Sequence, residues 1–256
     1  MTRVGTASGK PQPISVLRPA AKIEELIESS FAEDLAVAAR HGSLTEDLAL
    51  AMLRRRDLAP TAIEGMTRNH AVMKHRKVLL RLVQHQRTPR HVSVPLLRRL
   101  FTFELMQIAL TPGVAADVKL VAESVLIGKL ETLSLGECIS LAKQASSGVA
   151  GELLLHAERA VIEAALQNPR ITEASIVKSL AKPGVPVVLL SMLTEHPKWS
   201  RRWELQMTML RRPEATEPMI ATVMGRLPKV AVLELIEHAR LPQGREKLLR
   251  RLLAKG

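Results

Sequence analysis

The amino-acid sequence predicts an all-α fold, and three observations carry that prediction. Leu, Ala, Val, Ile and Met supply nearly all of the apolar content, whereas the chain has no Tyr, three Phe and two Trp. Strands favour aromatic and β-branched residues, so this balance favours helices. Prolines separate successive apolar segments of helical periodicity, as they do between helices. A short motif of a Leu, a turn and a second apolar residue also recurs along the chain.

The recurring motif has a Pro- or Arg-rich turn soon after the Leu. Its anchors are Leu53, Leu82, Leu110, Leu166 and Thr194, with spacings of 29, 28, 56 and 28 residues. A period in the range of about 20–50 residues is typical of solenoids, because one helical hairpin cannot bury its own apolar face. We therefore predict an α-solenoid of antiparallel helix pairs with a degenerate repeat of about 28 residues. The motif returns 16 residues later at Leu210, which predicts atypical capping units at the C-terminus.

The elements follow in order. Residues 1–19 are rich in Gly, Ser, Thr and Pro, a composition that predicts a flexible tail. Residues 20–256 are predicted to form a single helical-repeat domain. Apolar spacing predicts one helix over 20–41 and another over 95–110. Capping boxes beginning at Ser43, Thr61 and Ser134 predict three helix starts. The other predicted helices are 79–83, 115–133, 135–145, 149–155, 157–167, 172–180, 185–195, 199–211, 218–227, 230–239 and 243–255.

Two segments join short helices through a proline turn: Leu166-Gln-Asn-Pro-Arg-Ile-Thr-Glu-Ala-Ser-Ile176 and Leu210-Arg-Arg-Pro-Glu-Ala-Thr-Glu-Pro-Met-Ile220. In this respect the chain resembles the HEAT-like α-solenoids over residues 50–220, and more loosely the leucine-rich-repeat-variant proteins. The resemblance implies a right-handed superhelix and a role in binding. It implies no enzymatic activity, because such folds host many functions. The cysteine-ligated cluster of some variant-repeat proteins is not possible with Cys138 alone.

Positive charge is concentrated within the chain. The formal net charge is +12, and residues 54–99 carry twelve Lys and Arg against only Asp57 and Glu64. Stacked repeats bring equivalent positions onto one face, so this block predicts a positive stripe for phosphates, an acidic protein or a lipid surface. The alternative interpretation is an ordinary solvated helix face. The candidate binding residues are Arg54, Arg55, Arg56, Lys74, Arg76, Lys77, Arg81, Arg87, Arg90, Arg98 and Arg99.

A second candidate surface contains the two tryptophans. Trp199 and Trp203 are four residues apart, which predicts one shared helix face beside Arg202. Such a face could hold a base or a cation, and core packing between units is the alternative. HEAT-like DNA glycosylases use aromatic residues and a carboxylate in a groove, and the nearest carboxylates here are Glu195 and Glu204.

These patterns favour a non-catalytic interaction scaffold that binds another protein through the concave face of the superhelix. The alternatives are a nucleic-acid-binding protein that uses the 54–99 block and, behind it, a HEAT-like DNA repair glycosylase. No motif predicts a catalytic site, a metal or a cofactor. The amphipathic segment 245–255 is either a solenoid cap or a peripheral contact with an anionic membrane. No transmembrane segment or secretory signal is predicted, so we expect a cytoplasmic protein.

Overall fold

The structure, a computed structural model, describes residues 12–14 and 22–255. Within these ranges the chain forms eighteen α-helices and one 3-10 helix and no strand, so the predicted all-α class is confirmed. The predicted tail over 1–19 lies mostly outside the described residues. Inside it, the backbone N–H of Ile14 donates to the buried carboxylate of Asp34 at 2.8 Å. The chain divides into two compact units, Met1–Val125 and Leu126–Gly256.

The N-terminal unit packs helices that are near neighbours in the sequence. Its helices are α1 Ile23–Glu28, α2 Ala32–Arg40, α3 Glu46–Met52, α4 Pro60–Thr67, α5 His70–Met73, α6 Arg76–Gln84, α7 Arg90–Leu97 and α8 Thr102–Leu110, and α9 Ala116–Ile127 runs across the boundary at Val125. Helix α1 packs on α2 and α3, α2 packs on α4, and α6 packs on α3, α7 and α8. The largest fully buried side chains of this core are Leu, Ile and Met, which pack closely without polar atoms.

The C-terminal unit begins with the 3-10 helix Leu130–Thr132. Its helices are α10 Leu135–Gln144, α11 Ser147–Leu153, α12 Arg159–Leu166, α13 Glu173–Leu180, α14 Val187–Glu195, α15 Trp203–Leu210, α16 Glu217–Met224, α17 Lys229–His238 and α18 Arg245–Lys255. Helices α10, α12, α14 and α16 pack in succession, and so do α11, α13 and α15. This unit therefore contains two rows of helices, joined where sequential helices such as α10 and α11 also touch.

Two long predicted helices are broken in the structure. The single helix expected over 20–41 is wrong, because α1 ends at Glu28 and α2 begins only at Ala32. The Ser29 hydroxyl between them donates to Asp34 at 2.5 Å and accepts from the Phe31 backbone N–H at 3.1 Å. The helix expected over 95–110 is likewise wrong: α7 already includes Pro95, and α8 begins after Phe101.

The capping boxes had mixed outcomes. The box at Ser134 is confirmed, since Ser134 accepts from the Glu137 N–H and Glu137 accepts from the Ser134 N–H at 2.9 Å. The box at Ser43 is wrong, because Thr45 is the residue that caps α3. The box at Thr61 is also wrong: α4 begins at Pro60, a residue preorganised for the first helical position.

Long-range hydrogen bonds tie helix ends to turns that lie later in the chain. The Asn168 amide donates to the Ala142 and Ala145 carbonyls at 2.8 and 3.1 Å. The Asn69 amide donates to the Ala39 and His41 carbonyls. These bonds satisfy carbonyls that a helix C-terminus leaves without partners. Each joins residues separated by 23–30 positions. The 28-residue repeat, the HEAT-like superhelix and the single domain over 20–256 stay predictions.

The C-terminal helix α18 packs against α17. Leu249 on this helix is fully buried, and Leu252 and Leu253 are half-buried and line a groove with Met224 and Leu227. The middle of the apolar face of 245–255, at Leu249, is therefore packed within its own unit, and the other leucines of that face are only partly covered. Within residues 12–14 and 22–255, no helix is both long and apolar enough to cross a bilayer.

Candidate functional site

Four arginines of the basic block meet at one depression in the N-terminal unit. Arg54, Arg55 and Arg56 lie in the turn after α3, and Arg81 projects from α6, which packs on α3. The depression has a volume of about 180 Å³ and is also lined by Leu53, Gln84, His85 and Gln86. Among the residues that the structure describes, no acidic side chain lines it. We call these eight residues the arginine pocket.

The turn that carries the arginines is held by one of them. The Arg55 guanidinium donates to the Ile27 and Ser29 carbonyls, each at 2.8 Å. It also forms a bidentate pair with Asp57, with an Nη2–Oδ2 distance of 2.9 Å. That hydrogen-bonded pair lowers the pKa of the Asp57 carboxyl. The Arg55 guanidinium is therefore already occupied by contacts within the protein. These bonds hold the backbone of the turn from which Arg54 and Arg56 project.

Residues of α6 and its C-terminus complete the pocket. The His85 Nε2 lies 2.9 Å from the Arg55 carbonyl, and its Nδ1 accepts from the Arg87 backbone N–H at 3.2 Å. Both contacts are satisfied by the imidazole that carries its proton on Nε2. The Arg81 Nη1 donates to the Gln84 side chain at 3.3 Å, which orients that guanidinium. Arg54 and Arg56 are exposed, and the described residues give neither side chain a hydrogen-bond or ion-pair partner.

The other predicted basic residues form two groups, those whose side chains make a hydrogen bond or ion pair within the protein and those whose side chains make neither among the described residues. Two of them form ion pairs, Arg76 with Glu104 and Arg90 with Asp117 at 3.7 Å. Two others donate to backbone carbonyls, Arg87 to that of Asp57 at 3.1 Å and Arg99 to that of Met73 at 3.5 Å. Arg76 also lies over the Phe101 ring, 3.4 Å from its centroid. The exposed residues Lys74, Lys77 and Arg98 have no such partner in the described part of the chain. None of these seven lines the arginine pocket.

The two tryptophans do not share a helix face, so that prediction is wrong. Helix α15 begins at Trp203, and Trp199 lies in the turn before it. Trp199 is buried, with its Nε1 donating to the Leu166 carbonyl at 3.5 Å. Trp203 is 47% exposed. Arg202 is the exposed residue just before α15, and Trp199 is not available to a ligand.

Sequence reasoning missed part of the groove around Trp203. The side chains of Met207, Arg211, Glu234, His238 and Arg240 lie with Trp203 around an open groove in the C-terminal unit. They come from α15, α17 and the turns that follow these helices. The sequence pattern selected only Trp203 among the residues of this groove, because no motif connects residues 203–211 with 234–240. Across residues 12–14 and 22–255, no group of three or more His, Cys, Asp or Glu is placed to hold a metal ion.

No protein-family model, no curated protein and no solved structure matches this chain. Any function assigned to it therefore has to come from its own residues.

Proposed function

We propose that the chain is a non-catalytic helical-repeat binding protein whose N-terminal unit binds the phosphate backbone of nucleic acid in the cytoplasm. The observation that carries this proposal is the arginine pocket, which is lined by four arginines. Among the described residues, only Arg55 of these four is paired with an acidic side chain, that of Asp57. Guanidinium groups bind phosphates through charge-assisted, often bidentate hydrogen bonds. A phosphate seated there would meet Arg54, Arg56 and Arg81.

The surroundings of the pocket favour binding that is independent of base sequence. The neutral amides of Gln84 and Gln86 add hydrogen-bond donors without adding charge. Among the described residues that line the pocket there is no Phe, Tyr or Trp, so the large ring faces on which bases usually stack are missing at this site. Lys74, Lys77 and Arg98 are exposed on the same unit and add to the field that steers a polyanion. Affinity that comes from such charges should fall steeply with salt.

The architecture we propose is a HEAT-like α-solenoid. The two rows of helices in the C-terminal unit support it, as do the side-chain bonds between residues separated by 23–30 positions. In a solenoid each repeat contacts only its neighbours, and successive turns present equivalent residues on one face. Arg55 and His85 occupy such offset positions, 30 residues apart, and are joined by a hydrogen bond.

The experiment measures how duplex binding depends on salt in the wild type and in a variant that reverses the charge of three arginines. The full chain, purified with nuclease and high salt, is titrated into a labelled 20-base-pair duplex, and fluorescence anisotropy is read from about 50 to 200 mM salt. We expect Arg54→Glu, Arg56→Glu and Arg81→Glu together to weaken binding at least about tenfold at low salt. The slope of log K against log salt should become shallower by about 2.7, since each lost phosphate contact contributes about 0.9.

The matched control reverses three exposed lysines elsewhere: Lys143→Glu, Lys229→Glu and Lys247→Glu. Both triple variants lower the formal net charge from +12 to about +6. The control should therefore lose only the general attraction and keep most of the wild-type slope. Equal losses in the two variants, or a duplex affinity that does not change with salt, would refute phosphate binding in the arginine pocket.

A protein partner is the second candidate, as the scaffold hypothesis expected. Phe101, Phe103 and Leu120 of the N-terminal unit are 62%, 41% and 66% exposed. Exposed large apolar side chains are typical of protein interaction sites when they cluster. A partner bound through them would remain bound in high salt and would be released by Phe103→Ala and Leu120→Ala, with the arginine triple variant unaffected. The repair-enzyme alternative loses its main support, because Trp199 is buried.

A further inference from the structure

The open groove beside Trp203 lies in the C-terminal unit and has a volume of about 690 Å³. Its apolar part is formed by Trp203, Met207 and Leu235. The volume lies within the range of about 300–1,000 Å³ that is usual for ligand sites. Met207 is half-buried and Leu235 is buried, so they form a floor while Trp203 stands 47% exposed above it.

Trp203 is 47% exposed, and in the described part of the chain its indole makes no aromatic or cation–π contact. An indole this exposed retains much apolar area in contact with water, and a planar ligand stacked on it would remove that area. Stacking of a base on an aromatic side chain contributes about 1–3 kcal/mol. Trp199 cannot serve in the same way because it is 3% exposed and bonded to Leu166.

The polar side chains around the groove include both positively and negatively charged groups. Arg211 and Arg240 are exposed, and neither side chain has a hydrogen-bond or ion-pair partner among the described residues. Glu234 is exposed and likewise makes no ion pair within the described chain. The His238 Nδ1 lies 3.1 Å from the Glu234 carbonyl oxygen, which leaves Nε2 available to a ligand. The groove therefore combines a stacking face, two guanidinium groups, one carboxylate acceptor and one imidazole.

We propose that this groove binds an unpaired nucleotide of single-stranded nucleic acid. The base stacks on Trp203, the adjoining phosphates pair with Arg211 and Arg240, and Glu234 accepts a hydrogen bond from an exocyclic amino group of the base. Only a base outside a duplex exposes its ring face, so the ligand is single-stranded. The inference rests on the proposed function, since it names the form of nucleic acid bound. It adds a base-reading contact that the arginine pocket lacks.

The Glu234 carboxylate is expected to make the groove selective among bases. Glu234 would repel a phosphate but accept from the amino group of cytosine. Thymine presents oxygens where cytosine presents the amino group, so it gives that carboxylate no donor. We therefore expect oligo-dC to bind more tightly than oligo-dT of equal length, and Glu234→Ala to remove the difference.

Tryptophan fluorescence provides the test, because the chain has only two tryptophans and one of them is buried. Oligo-dC of 12 nucleotides is titrated into the full chain and compared with an abasic strand of the same length and charge. Quenching is expected with oligo-dC, with little quenching by the abasic strand and none in Trp203→Phe. Trp203→Ala should weaken oligo-dC binding about tenfold, within the range for one stacked base, and leave duplex affinity unchanged.

The control is Val230→Ala, which trims another exposed apolar residue of the same unit that does not line the groove. It should bind oligo-dC as the wild type does. If duplex and oligo-dC both bind but the abasic strand binds and quenches equally well, the groove inference is overturned while phosphate binding stands. If neither nucleic acid binds at any salt concentration, the proposed function itself fails. Quenching by an acidic Glu–Tyr copolymer, without quenching by oligo-dC, would overturn the inference in favour of a protein occupant.

Discussion

Asn168→Ala tests the hydrogen bonds that tie successive turns together in the C-terminal unit. Asn168 is 2% exposed. Its amide donates to the Ala142 and Ala145 carbonyls, and its oxygen accepts from the Arg170 N–H at 2.8 Å. A net hydrogen bond contributes about 1 kcal/mol, so three lost bonds predict a loss of about 3 kcal/mol in the free energy of unfolding. The corresponding fall in Tm is roughly 10 °C.

Urea denaturation followed by circular dichroism at 222 nm measures this loss. The matched control is Gln167→Ala, which trims the adjacent exposed side chain and should change stability by less than about 0.5 kcal/mol. A second variant, Asn168→Asp, keeps the size but puts a carboxylate against two carbonyl oxygens, and should be at least as unstable as Asn168→Ala at pH 7. A loss below about 1 kcal/mol for Asn168→Ala, or an Asp variant as stable as wild type, would contradict the role assigned to the bonds.

Two further predictions concern helix packing and pH. A Cβ at Gly65 would lie 3.1 Å from the Ala39 side chain where α4 packs on α2, so Gly65→Leu should destabilise the N-terminal unit by about 1–3 kcal/mol in thermal unfolding. Gly136 on α10 has open space around it, so Gly136→Ala should stabilise by up to about 1 kcal/mol, and the reverse order would contradict the packing described. The capping bonds with Ser134 lower the pKa of Glu137. Its contribution to stability is therefore present above the unfolded-state pKa and is lost as pH falls through the folded-state value. In Glu137→Gln the free energy of unfolding should therefore depend less on pH in that range. If it falls at acidic pH as steeply as in the wild type, the capping box does not contribute as described.

The order of helices could be predicted because prolines and caps are local signals. The segments 135–145 and 172–180 were placed within one residue of α10 and α13, since Ser134 and Thr172 cap them through their own side chains. The break between α1 and α2 could not be predicted from spacing, because both sides are apolar with helical period. The break is accompanied by the local Ser29–Asp34 hydrogen bond and by the bond from Arg55 to the Ser29 carbonyl, which is a tertiary contact between residues 26 positions apart.

The candidate sites show the same division between local and tertiary information. Charge clustering in the sequence selected Arg54–Arg56 and Arg81, and the packing of α6 on α3 brings them to one depression. The spacing of Trp199 and Trp203 gave a wrong prediction of a shared helix face, because residues four apart lie on one face only where both are helical. Here α15 begins at Trp203. The partners of Trp203 in its groove, such as Glu234 and Arg240, lie some thirty residues away and carry no motif.

The arginine content of the chain has a structural cause as well as a proposed functional one. Arg55, Arg226 and Arg245 each donate to backbone carbonyls at or just after helix ends: Arg226 to Thr194 at 2.7 Å, and Arg245 to Arg212 at 2.6 Å. Cations are favoured there because helix C-termini carry partial negative charge. A net charge of +12 would therefore arise in part from fold stabilisation alone. The case for a polyanion rests instead on the two guanidinium groups of the arginine pocket, those of Arg54 and Arg56, that have no protein partner among the described residues.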